Sequence, residues 1–165
     1  MHLWTRVVVL GSALLFAPLA LADLPGPDAG STFLNSGVLL SGSSRPEGFV
    51  PGLGAEVSIH RFAEKTVGFG LFAQWQTMEF EYHRIAGGLQ GSLSLVGFEL
   101  GVAHETASDE LAATTSLHIA PFVSIGIVTL AVRFGRPLGE KAGTRPRHGS
   151  EVGVVLAFKY PHELE

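Results

Sequence analysis

The chain has no cysteine, which excludes a disulfide framework and any thiolate metal site. Lysine is almost absent, at Lys65, Lys141 and Lys159 alone, and charged residues make up 16% of the chain against about 25% in an ordinary globular domain. The formal net charge is −4, which argues against nucleic acid as a partner, since that needs a basic face. Beyond residue 22 no apolar run reaches the roughly 20 residues that a membrane-spanning helix requires, although mean hydropathy is positive. Helical patterning is missing too: after residue 22 only 108–113 is compatible with as much as one helical turn. A chain that is apolar overall, yet has neither long apolar runs nor amphipathic helices, must distribute its hydrophobicity in another way.

The first 22 residues carry the three parts of an export signal. Arg6 gives a positive start, 7–16 an apolar stretch, and Ala20-Leu21-Ala22 a small-x-small cleavage site before Asp23. Pro18 interrupts the apolar stretch, which is too short for a membrane anchor. No Cys follows Ala22, so no lipid anchor attaches there. Removing 22 of the 165 residues leaves 143, enough for one domain. The expected organisation is a signal peptide over 1–22, an N-terminal lead over 23–32, a β domain over 33–160 and a short tail over 161–165.

Within that domain apolar residues recur with period 2, the signature of half-buried strands. In 53–59, Leu53, Ala55, Val57 and Ile59 alternate with Gly54, Glu56 and Ser58; in 67–76, Val67, Phe69, Leu71, Ala73 and Trp75 alternate with Gly68, Gly70, Phe72, Gln74 and Gln76. The same alternation is present in 78–83 (Met78, Phe80, Tyr82 apolar), 96–102, 128–134 and 152–160, and more weakly in 33–41 and 115–123. These make eight strands. A phase slip at Leu95/Val96 reads as a bulge within a strand over 89–102. Pro121 fits an edge strand or a bulge. Long polar connections (42–51, 103–114, 136–149) alternate with short ones (61–66, 87–88, 124–126), with one sharp bend at 76–78. Strands that simply run up and down place long and short connections at opposite ends.

The polar face tells which side is inside. It is rich in glycine (Gly54, Gly68, Gly70, Gly97, Gly101, Gly153) and in charge (Glu56, Glu79, Glu81, Glu99, Arg133, Lys159). An eight-stranded barrel has an interior just wide enough for side chains, and small residues interleaved with paired charges fill it. On the outside of a soluble sheet those glycines would only weaken the strands. The apolar face carries Trp75, Phe80, Tyr82, Phe134, Phe158 and Tyr160 near strand ends, as aromatic girdles do. The predicted fold is therefore all-β, an eight-stranded antiparallel up-and-down transmembrane β-barrel. Arg133 and Lys159 are expected to point inward and pair with Glu56, Glu99 and Glu151.

The final strand contains Glu151-x-Gly153-x-x-Leu156-x-Phe158. In this the chain resembles the small eight-stranded bacterial outer-membrane barrels, whose closing strand carries a polar-x-Gly-x-x-apolar-x-aromatic pattern. The resemblance implies recognition by the barrel assembly machinery through Glu151, Gly153, Leu156 and Phe158, contact with outer-membrane lipids, and no cofactor. It differs in having residues 161–165 beyond the terminal aromatic. The function it implies is structural or surface-interacting, with the lumen filled, no open pore, and an unknown surface ligand.

Three chemistries compete with that reading. Gly68-x-Gly70-x-x-Ala73 matches a dinucleotide fingerprint in letters, but the fingerprint needs a strand before it and a helix after it, and these glycines alternate within a strand. The seven His residues show no spacing that puts two imidazoles on one face, so no metal site is expected; His104-Glu105 and Asp109-Glu110 read as solvated loop charge. His148 and Ser150 lie two apart, which on a strand would let imidazole take the hydroxyl proton. They resemble the His-x-Ser pair of the outer-membrane lipid A deacylases, with Glu151 where that family has Asn. The alternatives are thus a lipid A-modifying hydrolase using His148 and Ser150, or a soluble lipocalin-like binder with its apolar face turned inward.

Overall fold

The computed structural model describes residues 27–46, 48–139 and 145–164. The export signal at 1–22 lies outside them. The described chain forms eight strands: β1 (Thr32–Arg45), β2 (Gly48–Glu64), β3 (Val67–Met78), β4 (Tyr82–Leu93), β5 (Val96–Glu105), β6 (Thr114–Ile125), β7 (Val128–Pro137) and β8 (Glu151–Leu164). Each pairs antiparallel with its sequence neighbours, and β8 returns to β1, closing the barrel. Closure gives the backbone of almost every strand a partner on both sides and removes the sheet edges. Among the described residues there is no helix.

β1 begins and β8 ends at the same rim, called here the terminal end, together with the connections 65–66, 94–95 and 126–127. The opposite rim, the loop end, carries, among the described residues, 46, 79–81, 106–113, 138–139 and 145–150. The loop end is thus shorter than the sequence reading has it. Residues 42–51 are not a loop: Gly42 pairs with Pro51 and Arg45 with Gly48. Their Gly, Ser and Pro content looks loop-like, but Ser43, Arg45 and Val50 are buried inside the barrel, where polar and small side chains suit a lumen. The third strand also runs further, to Met78, so the bend expected at 76–78 is a turn at 79–81, and the strand expected over 78–83 is instead β4 from Tyr82. Glu79 and Phe80 have φ of 54° and 60°, and Glu81 N donates to Met78 O at 3.0 Å. Two consecutive positive φ values are the sign of a type I′ turn, whose twist matches paired strands.

Other local expectations are corrected in the same way. Gly87 and Gly88 are not a turn but the middle of β4, facing Ala73 and Phe72 on one side and Val102 and Gly101 on the other. The phase slip near Leu95 is not a bulge; residues 94–95 form the β4–β5 hairpin, with Ser94 at φ 55°. A register shift does occur, in β2 between Phe62 and Glu64. Pro121 is not on an edge strand: β6 is paired on both sides, and the ladder to β7 skips Ala120 and Pro121 where the proline nitrogen has nothing to donate. Residues 108–113 make no helical turn; the segment bends, and Ala112 bridges to Arg147. β8 continues through what reads as a tail, pairing with β1 as far as Thr32↔Leu164.

Side-chain direction follows the alternation. Leu53, Val57, Ile59, Leu71, Trp75, Ile85, Phe98, Leu100, Leu130 and Val154 face outward and are exposed. Their alternating partners fill the inside. Met78 and Tyr82 depart from the expected phase, since both are buried and pack with Val50 under the loop end. The three-residue turn at 79–81 puts Tyr82 on the same side as Met78, facing the lumen, and leaves Phe80 exposed at its tip.

Candidate functional site: a charged lumen

Among the described residues the lumen holds four cations, Arg45, Arg84, Arg133 and Lys159, and four carboxylates, Glu56, Glu99, Glu105 and Glu151, in ion pairs with one another. They come from β1, β2, β4, β5, β7 and β8, so no short sequence motif contains the cluster. Two layers are distinguishable. Toward the loop end, Glu151 is ringed by guanidinium groups: Arg45 Nη2 at 2.6 Å, Arg133 Nε at 3.2 Å and Arg84 Nη2 at 3.3 Å. Arg45 also grips Glu105 through both terminal nitrogens, a fork matching a carboxylate. Arg133, fully buried, donates to Gln76 Oε1 at 2.6 Å and Ser43 Oγ at 2.7 Å. Toward the terminal end, Lys159 Nζ lies 2.5 Å from Glu56 and 3.8 Å from Glu99. Gln74 Nε2 donates to Glu56 at 3.0 Å and Glu99 at 3.1 Å, tying the two carboxylates together.

His118 joins the layers. Its Nδ1 lies 3.0 Å from Arg84 Nη2 and its Nε2 3.1 Å from Glu99 Oε2. A guanidinium only donates, so Nδ1 accepts, Nε2–H donates to the carboxylate, and the imidazole is neutral. The loop-side layer then carries three positive charges and two negative, the terminal-side layer one positive and two negative. The excesses are opposite, and the sum is zero. Buried charge is tolerable when paired and hydrogen-bonded, whereas removing one partner leaves an uncompensated ion costing about 3–5 kcal/mol.

Glycine makes room for the cluster. A Cβ on Gly135 would lie 2.5 Å from Glu151 Cγ and 2.9 Å from its Oε1, because Gly135 is the ladder partner of Glu151. No larger residue leaves the carboxylate where three arginines meet it.

Sequence phase places Glu56, Glu99, Arg133, Glu151 and Lys159 inside. It puts the linking Gln74 and Gln76 on the inward phase as well, and misses Arg45, Arg84, Glu105 and His118. Arg45 and Glu105 sit in stretches read as loops; Glu105, taken as solvated charge, is buried. Carrying the alternation on from Glu99, Gly101 and Ala103 would have reached it. Arg84 is in phase with Tyr82 once the turn is put at 79–81.

His148 and Ser150 are not brought together. Both precede β8, in the 138–150 connection; His148 is buried and Ser150 exposed. The His148 ring packs against Tyr82 at 4.5 Å between centroids, and its Nε2 lies 3.0 Å from the Thr106 carbonyl oxygen. That bond commits Nε2–H as a donor. The strand that would align the two side chains starts only at Glu151. Of the four assembly-signal residues, Glu151 and Gly153 face inward, Leu156 is half-buried and Phe158 faces out. Gly68 and Gly70 lie within β3, with no helix after them. Among the described residues no three His, Asp or Glu side chains gather as a metal site.

No family model matches the chain, and no curated protein does. Among solved structures it is similar to neisserial surface protein A, with a TM-score of 0.40 and 12% identity over 78% of this chain and 97% of that one.

Proposed function

We propose that the chain is a bacterial outer-membrane barrel with a structural or surface-interaction role, its lumen filled by side chains and no open pore. One observation carries the reading: the protein is inside out relative to a soluble domain. Its ion pairs are buried, while a continuous belt of large apolar side chains is exposed around the barrel, including Leu71 at 55%, Ile85 at 54%, Leu89 at 60% and Leu130 at 53%. Soluble monomers rarely expose apolar patches beyond a few hundred Å², and a belt of this kind calls for lipid. Trp75, Phe134, Phe158 and Tyr160 lie on the outer face, where aromatic girdles would meet headgroups. The signal-like 1–22 supports export, and Glu151, Gly153, Leu156 and Phe158 would engage the barrel assembly machinery. In this orientation the terminal end faces the periplasm, and the loop end, with 106–113 and 145–150, faces outward.

The lipocalin-like reading needs the apolar face inside, opposite to the packing. The hydrolase reading needs His148 within reach of Ser150, and the burial of one and exposure of the other oppose it. The decisive measurement is the fate of the expressed protein. It should be recovered from the outer-membrane fraction and migrate on a detergent gel differently before and after boiling. Recovery as a soluble periplasmic monomer would overturn the proposal. Incubation with lipopolysaccharide should leave its acyl chains intact; deacylation lost in Ser150→Ala would restore the hydrolase.

A further inference from the structure

The outer face changes character along one plane near the loop end. On each strand from β4 to β7 the outward positions are apolar or glycine over most of their length, and the one nearest the loop end is polar: His83, His104, Thr115 and Arg136, all exposed. The ladders put these four at one height. Thr106 N donates to His83 O, so His104 sits two residues below that pair; His104 pairs with Thr115, and Arg136 pairs with Leu117, two below Thr115. A plane perpendicular to the axis cuts strands tilted by roughly 35–45° in this stepwise way. Arg136 makes no ion pair among the described residues, and no carboxylate stands on an outward position of β4–β7. The acids of this rim, Glu79, Glu81, Asp109 and Glu110, lie beyond the plane in the connections. His104 Nδ1 lies 3.0 Å from Thr115 Oγ1, which leaves Nε2 for another partner. Immediately below, the wall is apolar, with the Val102–Leu117 pair under His104 and Phe134 under Arg136.

We infer that this sector of the outer face binds the phosphate headgroup of an anionic membrane lipid, with Arg136 and His104 on the phosphate and the acyl chains along the apolar wall beneath. The inference rests on the membrane reading above. An outward arginine is tolerated in a barrel only near the headgroups, which sets the height of the plane. There its guanidinium presents the forked donors that match a phosphate. Adjacent strands lie about 4.8 Å apart, so β5 and β7 hold His104 and Arg136 on either side of Thr115, within reach of one phosphate group for side chains of this length. Charge and shape select the class. A zwitterionic headgroup finds no carboxylate on this face for its cationic end. A free anion would use the charged row and leave the apolar wall beneath it unused.

The test is NMR titration of the full exported chain in dodecyl maltoside, whose headgroup carries no phosphate. Three probes separate the headgroup, the chains and the source of the phosphate: dioleoylphosphatidic acid, dioleoylglycerol with the same chains and no phosphate, and inorganic phosphate. Phosphatidic acid should give saturable shifts at the amides of His104, Thr115 and Arg136, and should bind at least about tenfold more tightly than either other probe. Arg136→Ala should weaken that binding about tenfold, whereas removing Arg61, exposed at the terminal end, should leave it unchanged. Should Arg136→Ala not fold, His104→Ala on another strand reads the same site. Binding of dioleoylglycerol or inorganic phosphate as tight as that of phosphatidic acid overturns the inference, and so do equal losses from Arg136→Ala and Arg61→Ala. A barrel that passes the boiling test yet shows no saturable shift with phosphatidic acid overturns it too, and leaves the membrane proposal standing.

Discussion

Arg84 donates to the Nδ1 of His118, and this one bond fixes the imidazole as a neutral Nε2–H tautomer that hands a hydrogen bond on to Glu99. The histidine thereby connects a layer with one excess positive charge to a layer with one excess negative charge without adding charge of its own. A side chain that carried a charge at this point would upset the balance of four against four.

His118 is therefore expected to be sensitive to shape and to polarity together. His118→Leu deletes two hydrogen bonds to charged groups, each worth about 1.5–3 kcal/mol, and should lower the unfolding midpoint in detergent strongly. His118→Gln, which keeps a donor and an acceptor, should recover part of the loss. Equal losses in the two variants would show that the bridge contributes nothing beyond volume.

Arg133 is the arginine most enclosed. Arg133→Ala leaves Glu151 short of one partner and frees Gln76 and Ser43, so a loss of about 3–5 kcal/mol is expected. The comparison is Arg136→Ala, whose side chain is exposed on the same strand and whose loss should be under about 0.5 kcal/mol. Arg147 is unsuited as a reference, because it donates to the carbonyls of Leu138 and Gly139. Matching midpoints for the two substitutions would remove Arg133 from any buried network.

Gly135→Ala tests the room left for Glu151. The added methyl meets the Cγ of a side chain pinned by three guanidinium groups, so it cannot swing away cheaply. The barrel should be destabilised by about 1–3 kcal/mol. A Gly135→Ala barrel as stable as the parent would mean that the arginine ring is loose.

The 79–81 turn holds two non-glycine residues at positive φ. Phe80→Gly should relieve about 1 kcal/mol of backbone strain and raise the unfolding midpoint, since Phe80 is exposed at the tip and packs little. An unchanged or lowered midpoint would indicate that Phe80 gains as much from its surroundings as its backbone costs.

β8 passes the end of β7 at Val128↔Phe158 and runs on alongside β1 alone. Lys159 N still donates to Ile127 O at 2.7 Å, so the next backbone groups facing that open side belong to Pro161 and then Glu163. Proline has no N–H to offer, and a charge follows it, two devices that blunt an exposed edge. Pro161→Thr should restore a donor and favour edge-to-edge dimers, detectable by crosslinking in detergent. A variant that stays as monomeric as the parent would assign Pro161 no protective part.

The sequence by itself determined the period, and the period determined the class. Alternation of Leu53, Val57 and Leu71 with Glu56 and Gln74 survives any choice of partner, because a strand's two faces are set by its own backbone. The count of eight and the inward side of Arg133 and Lys159 follow from that same local rule. What local pattern could not decide was where strands stop. Two of the turns are built without the usual signals: Glu79-Phe80 and Ser94 take positive φ without glycine, while Gly87 and Gly88 lie mid-strand. Only the ladders, which pair Arg45 with Gly48 and Arg84 with Glu105, place those residues. The partners of the charges were likewise a matter of closure. Glu151 meets arginines from three other strands, 106, 67 and 18 positions away, and no spacing in one dimension encodes which side chains meet across a lumen. Electrostatic neutrality of the whole, with His118 as its uncharged joint, exists only once the sheet has closed.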